Sequence, residues 1–249
     1  MGLIKQEIFV CVDCETTGLD TAEDHIIEVA AAEFTFDKII DTFETLVDPG
    51  KAIPQESIAI HHITDDMVKN KPTIGQVLPD LLNFIDKHII VGHGIPFDIE
   101  MLINAAKRSS IECSLQDNKV IDTLRLARLY GESPMNSLEY LRQHFNIEEE
   151  GAHRAMSDVI VNIEVFKRLI KDFSTTNQLF KRLERPIRLK TMPLGKHKGR
   201  PFKEIPLEYL KWAANKQFDQ DLLFSIRTEI KLRKKGNHFS QATNPFHSL

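Results

Sequence analysis

The stretch Phe9-Val10-Cys11-Val12-Asp13-Cys14-Glu15-Thr16-Thr17-Gly18 constrains this chain more than any other. The apolar run from Ile8 to Val12 reads as a buried strand, and it ends in two carboxylates two residues apart. Side chains alternate across a strand, so Asp13 and Glu15 share one face while Cys14 points to the other. Two carboxylates side by side repel each other and resist losing water. A fold that needed only packing would gain nothing by placing them at the end of a core strand. A hard divalent cation resolves the conflict, because Mg²⁺ is held by oxygen ligands. A solvated strand end followed by a Thr-Thr-Gly turn accounts for the same ten residues, and by themselves they leave both readings open.

The following segments repeat the pattern of acids at junctions. Residues 26–34 and 39–47 read as two further strands, joined by short links into an antiparallel meander that ends at Asp48-Pro49-Gly50. In residues 54–70, Thr64 followed by acids marks the start of a short helix. His61 and His62 are adjacent, so they cannot ligate one metal from a single helical face. Either can reach a phosphate or a sugar, or be an ordinary surface histidine. Residues 74–86 have helical period and 89–91 form a short buried strand. Gly92-His93-Gly94-Ile95-Pro96-Phe97-Asp98 then makes a tight turn into helix 97–107, with Asp98 in the first turn, where the dipole favours negative charge. A strand at 119–121 follows; Asp122 caps the next helix, and 133–145 carries another. The last helix of this body has a core stripe of Ala155, Val159, Ile163, Phe166 and Ile170. Asp158 neighbours that stripe, where an unpaired charge would cost several kcal/mol. His153 lies five residues before it. Each acid has an ordinary explanation singly. Four carboxylates and a histidine, each at a strand end or helix start, form a constellation of the kind α/β folds gather at such junctions.

On these residues the chain resembles the DnaQ-like 3′→5′ exonucleases of the DEDDh group, over about residues 7–172. The carrying motifs are Asp-x-Glu-Thr-Thr-Gly at Asp13–Gly18, His-x-x-x-Phe-Asp at His93–Asp98 and His-x-x-x-x-Asp at His153–Asp158. The chain departs from the family at His62, where Gly is more common, and at Gly94, where Asn is common. The resemblance implies an α/β, ribonuclease-H-like mixed five-stranded sheet flanked by helices, with strand two antiparallel. It implies two Mg²⁺ ions, replaceable by Mn²⁺, held by Asp13, Glu15, Asp98 and Asp158, with His153 as general base. Thr16, Thr17, His61 and Phe97 are the implied substrate contacts. The implied substrate is a nucleic-acid 3′ end, DNA in repair or polymerase III epsilon-like proofreading. The alternatives are an RNA-processing 3′ exoribonuclease of the same family, or a non-catalytic nucleic-acid-binding adaptor.

Charge divides the chain unevenly. Residues 181–249 hold 16 Lys+Arg and 6 Asp+Glu, a net +10, against −14 for residues 1–180. A basic end on an acidic body points to a polyanionic partner, although lysines also solubilise small helical modules. Residues 192–236 read as a small basic C-terminal module, 173–191 as a linker and 237–249 as a flexible tail. Pro193-Leu194-Gly195-Lys196-His197-Lys198-Gly199-Arg200-Pro201, with Ile205-Pro206, Tyr209-Leu210 and Trp212, resembles a module of exonuclease-X-like proteins. The two glycines suit a turn that offers amides and charge to phosphate. Tyr209 and Trp212 either stack bases or form the module's small core. Gln220-Asp221-Leu222-Leu223-Phe224 loosely resembles a sliding-clamp peptide, although Asp221 stands where an apolar residue belongs; a polymerase subunit is the other partner that the resemblance implies. No apolar run approaches the roughly 20 residues needed to span a bilayer. The N-terminus has no signal-peptide pattern, and three cysteines build no disulfide framework, so a cytoplasmic protein without a membrane partner is expected.

Overall fold

The computed structural model describes residues 3–133, 135–148 and 154–242, with side chains described as far as Lys235. In chain order the elements are β1 (Phe9–Thr16), β2 (Ile26–Phe34), β3 (Ile39–Leu46), α1 (Gln55–His61), α2 (Asp65–Val68), α3 (Ile74–Ile85), β4 (Ile89–Gly92), α4 (Pro96–Arg108), β5 (Val120–Asp122), α5 (Thr123–Tyr130), α6 (Leu138–His144), α7 (Ala155–Leu169), α8 (Thr176–Leu183), α9 (Leu207–Ala213) and α10 (Gln220–Ala242). The strands form one mixed sheet in the order β3-β2-β1-β4-β5. β2 runs antiparallel to β1 and β3, whereas β4 and β5 run parallel to β1. This is the ribonuclease-H-like arrangement that the sequence implies.

Alternation along β1 sorts its side chains between two layers. Val10, Val12 and Cys14 join Leu78, Leu81, Met101 and Leu102 in the core beneath α3 and α4. Phe9 turns the other way, with its ring 5.1 Å from that of Phe166 on α7. Cys11 lies on the same side and accepts a hydrogen bond from Asn162 Nδ2 at 3.5 Å. Two residues of strand advance about 6.7 Å and four residues of helix about 6 Å, so antiparallel packing keeps pace. Phe9 meets Phe166, Cys11 meets Asn162, and the next step brings Asp13 to Asp158.

The chain divides into two compact units, Met1–Lys181 and Arg182–Leu249. Residues read as a linker carry α8, and α10 continues to Ala242, into the stretch read as a tail. The helix expected over 133–145 is shorter, Leu138–His144, because Ser137 holds an extended N-cap conformation. The second unit has its own core of Leu189, Met192, Phe202, Ile205, Leu210 and Leu222, with Ala213 and Ile226. No helix among the described residues is long and apolar enough to cross a membrane.

Candidate metal centre

β1 delivers Asp13 and Glu15, and the first turn of α7 delivers Asp158. One carboxylate oxygen from each lies within 4.8 Å of the others. Asp98 arrives by a different route. β4 pairs with β1 only as far as Cys11, so the Cys14 amide projects past the end of that ladder. Asp98, in the first turn of α4, accepts this amide at 3.1 Å and is thereby fixed beside the acidic strand end.

Burial and mutual repulsion raise the proton affinity of Asp13, Glu15 and Asp98. Burial first, then repulsion from Asp98, Asp158, Glu15 and Glu28, holds the Asp13 carboxyl well above the usual carboxylate range. Burial and the charges of Asp158 and Glu28 push Glu15 up to about 7, against an opposing pull from Arg154. Asp98 is also pushed up to about 7, mainly by burial, although its bond from the Cys14 amide works the other way. Half-buried oxygen donors that repel one another this strongly have the chemistry of a divalent-cation site.

Sequence reasoning missed Glu28. It lies on β2 directly opposite Glu15 and is fully buried. Its carboxylate accepts Arg154 Nε at 3.0 and 3.1 Å, pairs with Arg154 Nη2, and accepts the Ala155 amide at 3.1 Å. It therefore caps the N-terminus of α7 from a neighbouring strand and sets the helix turn that carries Asp158. A charged residue in the otherwise apolar run Ile26-Ile27-Glu28-Val29-Ala30 was the available signal.

The expected substrate contacts differ in what holds them. The Thr16 hydroxyl donates to the Gly18 carbonyl at 2.7 Å. The Thr17 hydroxyl donates to Asp24 Oδ1 at 2.8 Å and accepts the His25 amide at 3.0 Å, so it pins the loop between β1 and β2. His61 is buried, and burial pushes its pKa down. Its Nδ1 accepts the Ile63 amide at 3.0 Å, which leaves the proton on Nε2, a buried donor beside the Thr16 backbone. Phe97 is half-buried against the α3–α4 core. His153 lies outside the described residues.

Both departures from the family pattern occur where the backbone turns left-handed. His62 has φ +60° as the C-cap of α1, and Gly94 has φ +72°. Gly and Asn are the residues that tolerate this conformation best, which is why they alternate at such sites. The Gly94 amide donates to Asp122 at 2.9 Å, and Asp122 also caps α5 through the Leu124 amide at 2.9 Å. A cleft lined by Asp13, His93, Ser137, Leu138, Arg142 and Asp158 opens over the acids. Burial pushes the His93 imidazole down to about 4, so it stands neutral in that wall.

Elsewhere, Gln220–Phe224 lies at the start of α10. Asp221 is buried there and accepts the Ile187 amide at 2.9 Å, while Leu222 sits in the core of the second unit.

A ribonuclease-H-like domain with carboxylates gathered at the end of its central strand defines the class. The family model described as "Exonuclease" (RNase_T) matches residues 10–166, and one described as "Putative quorum-sensing-regulated virulence factor" matches residues 181–234. The chain is 36% identical over 171 residues to the DNA polymerase III PolC-type protein of Bacillus subtilis, covering 68% of this chain and 12% of that one. It is 36% identical over 172 residues to the DNA polymerase III subunit epsilon of Treponema pallidum, covering 68% of this chain and 79% of that one. It thus spans only a small part of the PolC-type relatives and most of the epsilon subunit. A structure of Escherichia coli exonuclease I with single-stranded DNA superposes with a TM-score of 0.62 at 25% identity, covering 72% of this chain and 43% of that one. Exonuclease X with 5′-overhanging duplex DNA shares the fold, with a TM-score of 0.55 at 24% identity over 68% of this chain and 95% of that one. The chain belongs to the DnaQ-like exonuclease family, DEDDh group, with a distinct module after the exonuclease domain.

Proposed function

We propose that this protein is a metal-dependent 3′→5′ exonuclease that hydrolyses phosphodiester bonds at DNA 3′ ends and releases 5′-nucleotides. The observation that carries this reading is the convergence of Asp13, Glu15 and Asp158 within 4.8 Å. Asp13, Glu15 and Asp158, with Asp98 beside them, would hold two Mg²⁺ ions or Mn²⁺ in their place. The chemistry supplied by bound metal is activation of water and stabilisation of charge on the leaving oxygen. His153 takes the proton of the attacking water. Thr16, His61 and Phe97 position the terminal nucleotide, His61 through its buried Nε2–H beside Thr16. Thr17 acts by holding the loop rather than by direct contact.

DNA is the substrate favoured because the relatives that match this domain carry DNA polymerase III names. Proofreading beside a polymerase subunit is the context those names suggest. Docking on a sliding clamp through Gln220–Phe224 would require α10 to release Asp221 and Leu222 from their buried places.

The deciding experiment is degradation of matched 5′-labelled DNA and RNA oligonucleotides in Mg²⁺, by the wild type and by Asp13→Asn. A ladder shortening from the 3′ end on DNA, absent with Asp13→Asn, is expected. A ladder on RNA alone would transfer the assignment to RNA processing, and no cleavage by the wild type would reduce the chain to a binding factor.

A further inference from the structure

Trp212 is the chain's single tryptophan, and it is 52% exposed although it belongs to a seven-residue helix packed on a core. Leu210 and Ala213 supply the buried face of α9, so Trp212 is not needed for packing. A lone exposed aromatic residue is unremarkable. This one ends a row of rings. His197 meets the Tyr209 ring edge-on at 4.5 Å, and Tyr209 lies 5.3 Å from Trp212. The row begins in the turn 195–199, whose left-handed glycines, Gly195 at φ +71° and Gly199 at φ +81°, allow it to fold tightly on α9. A Cβ at Gly195 would stand 3.1 Å from the Tyr209 hydroxyl.

The same turn presents Lys196, Lys198 and Arg200, all exposed, and none of the three has an ion-pair partner among the described residues. Not every basic residue of this unit is available in that way. Arg233, for example, is consumed internally by Glu229 and by the carbonyls of Phe202 and Ile205. The backbone of the turn is consumed too. The amides of Lys198, Gly199 and Arg200 donate to Gly195, Met192 and His197 carbonyls, so the turn offers charge rather than an amide nest. At the other end, the Lys216 ammonium lies 5.0 Å from the centre of the Trp212 ring, on a side chain long enough to swing to a phosphate.

We infer that this surface of the C-terminal unit binds single-stranded nucleic acid, with a base stacked on Trp212 and the backbone held by Lys196, Lys198, Arg200 and Lys216. Cations beside an exposed ring are what a strand with flat bases and regularly spaced phosphates requires. The charge balance agrees, since residues 182–249 hold 15 Lys+Arg against 6 Asp+Glu. A folded acidic protein would satisfy the cations and leave the ring without a partner. The inference rests on the nuclease reading only for its biological sense; the surface is in the second unit and uses none of the acidic site.

Because Trp212 is the only tryptophan, its fluorescence reports this contact directly. Full-length protein is titrated with a 20-nucleotide oligothymidylate in chelator, which prevents cleavage, over a salt series. Saturable quenching is expected. Trp212→Ala should weaken binding about 5- to 100-fold, read by anisotropy of labelled oligonucleotide, and Trp212→Phe should recover part of that loss. The triple variant Lys196→Gln, Lys198→Gln, Arg200→Gln should lower the log–log salt slope by about 2 while leaving the circular dichroism spectrum unchanged. Oligonucleotide bound without quenching would overturn the inference, as would an unaltered slope in the triple variant. Equal quenching by polyglutamate would overturn it in favour of an acidic protein partner. Quenching without cleavage in Mg²⁺ would sink the nuclease reading alone, and cleavage without quenching would sink this one alone.

Discussion

Metal-free protein should lose stability as the pH rises from 5 to 8, and Mg²⁺ should restore it. Glu15 and Asp98 are each held up at about 7 in the folded chain, from ordinary values of 4.5 and 3.8. An acid with a raised folded pKa binds its proton more tightly in the folded state. Its contribution to stability is whole below the unfolded value and disappears as pH climbs through the folded one. Integrated between pH 5 and 8, the loss is about 2.5 kcal/mol for each group. Glu15 is partly solvated and the two acids repel each other, so the sum overstates the effect; about 3 kcal/mol for the pair is a fair expectation. For a domain of this size that corresponds to a fall of roughly 10 °C in Tm. The assay is thermal unfolding of chelator-treated protein at pH 5, 6, 7 and 8, with and without excess Mg²⁺. The metal should raise Tm most at pH 8, where Glu15 and Asp98 are mostly charged, and least at pH 5. Glu15→Gln should remove part of the pH dependence. Metal-free protein that is as stable at pH 8 as at pH 5, with no gain from Mg²⁺, would refute the account of the site as a set of mutually repelling acids awaiting a cation.

Three further outcomes follow from the same geometry. Asp13→Ala should reduce kcat on a 5′-labelled oligonucleotide more than any other single carboxylate change, since Asp13 feels Asp98, Asp158 and Glu15 together. His153→Ala should lower kcat by about 10²–10⁴-fold and displace the acidic limb of the pH–rate profile, with Mg²⁺ affinity measured by calorimetry almost unchanged. Arg154→Ala should cost about 3–5 kcal/mol in urea unfolding, because it strips the cation from the buried Glu28 carboxylate, and Glu28→Gln combined with it should recover part of that loss.

The parts of the fold legible in the sequence are those set by local pattern. Alternation put Asp13 and Glu15 on one face of β1, and the spacing of Ala155, Val159, Ile163, Phe166 and Ile170 marked the buried stripe of α7. The buried strands β1, β2 and β4 follow apolar runs. Less legible were elements whose identity depends on what they pack against. α1 is seven residues long and has no side-chain N-cap, so little local distinguishes it from loop, whereas the start of α8 carried a signal that went unread: Thr175 accepts the Gln178 amide at 3.3 Å. Trp212 posed the same difficulty in reverse. Its spacing from Tyr209 favoured a place in the module's core, which Tyr209 does take, whereas Leu210 and Ala213 fill the buried face and leave Trp212 exposed.

Glu28 shows why the site itself was only partly readable. A buried glutamate on a strand is costly by itself, and the sequence does not show that its partner lies 126 residues away. Yet the acidic centre depends on it. Asp13, Glu15 and Asp158 repel, so left to themselves they would push α7 away from β1. Two interactions oppose that: the Phe9–Phe166 and Cys11–Asn162 contacts further along the same pair of elements, and the Glu28 clamp on Arg154 and the Ala155 amide. The first resists separation of helix and strand; the second fixes which turn of the helix faces the acids. A negative charge used as clamp adds to the repulsion it contains, and Glu28 is indeed among the charges that raise Asp13 and Glu15. That cost is tolerable because Arg154 neutralises Glu28 on the spot, while the repulsion among the remaining acids is what makes a cation welcome.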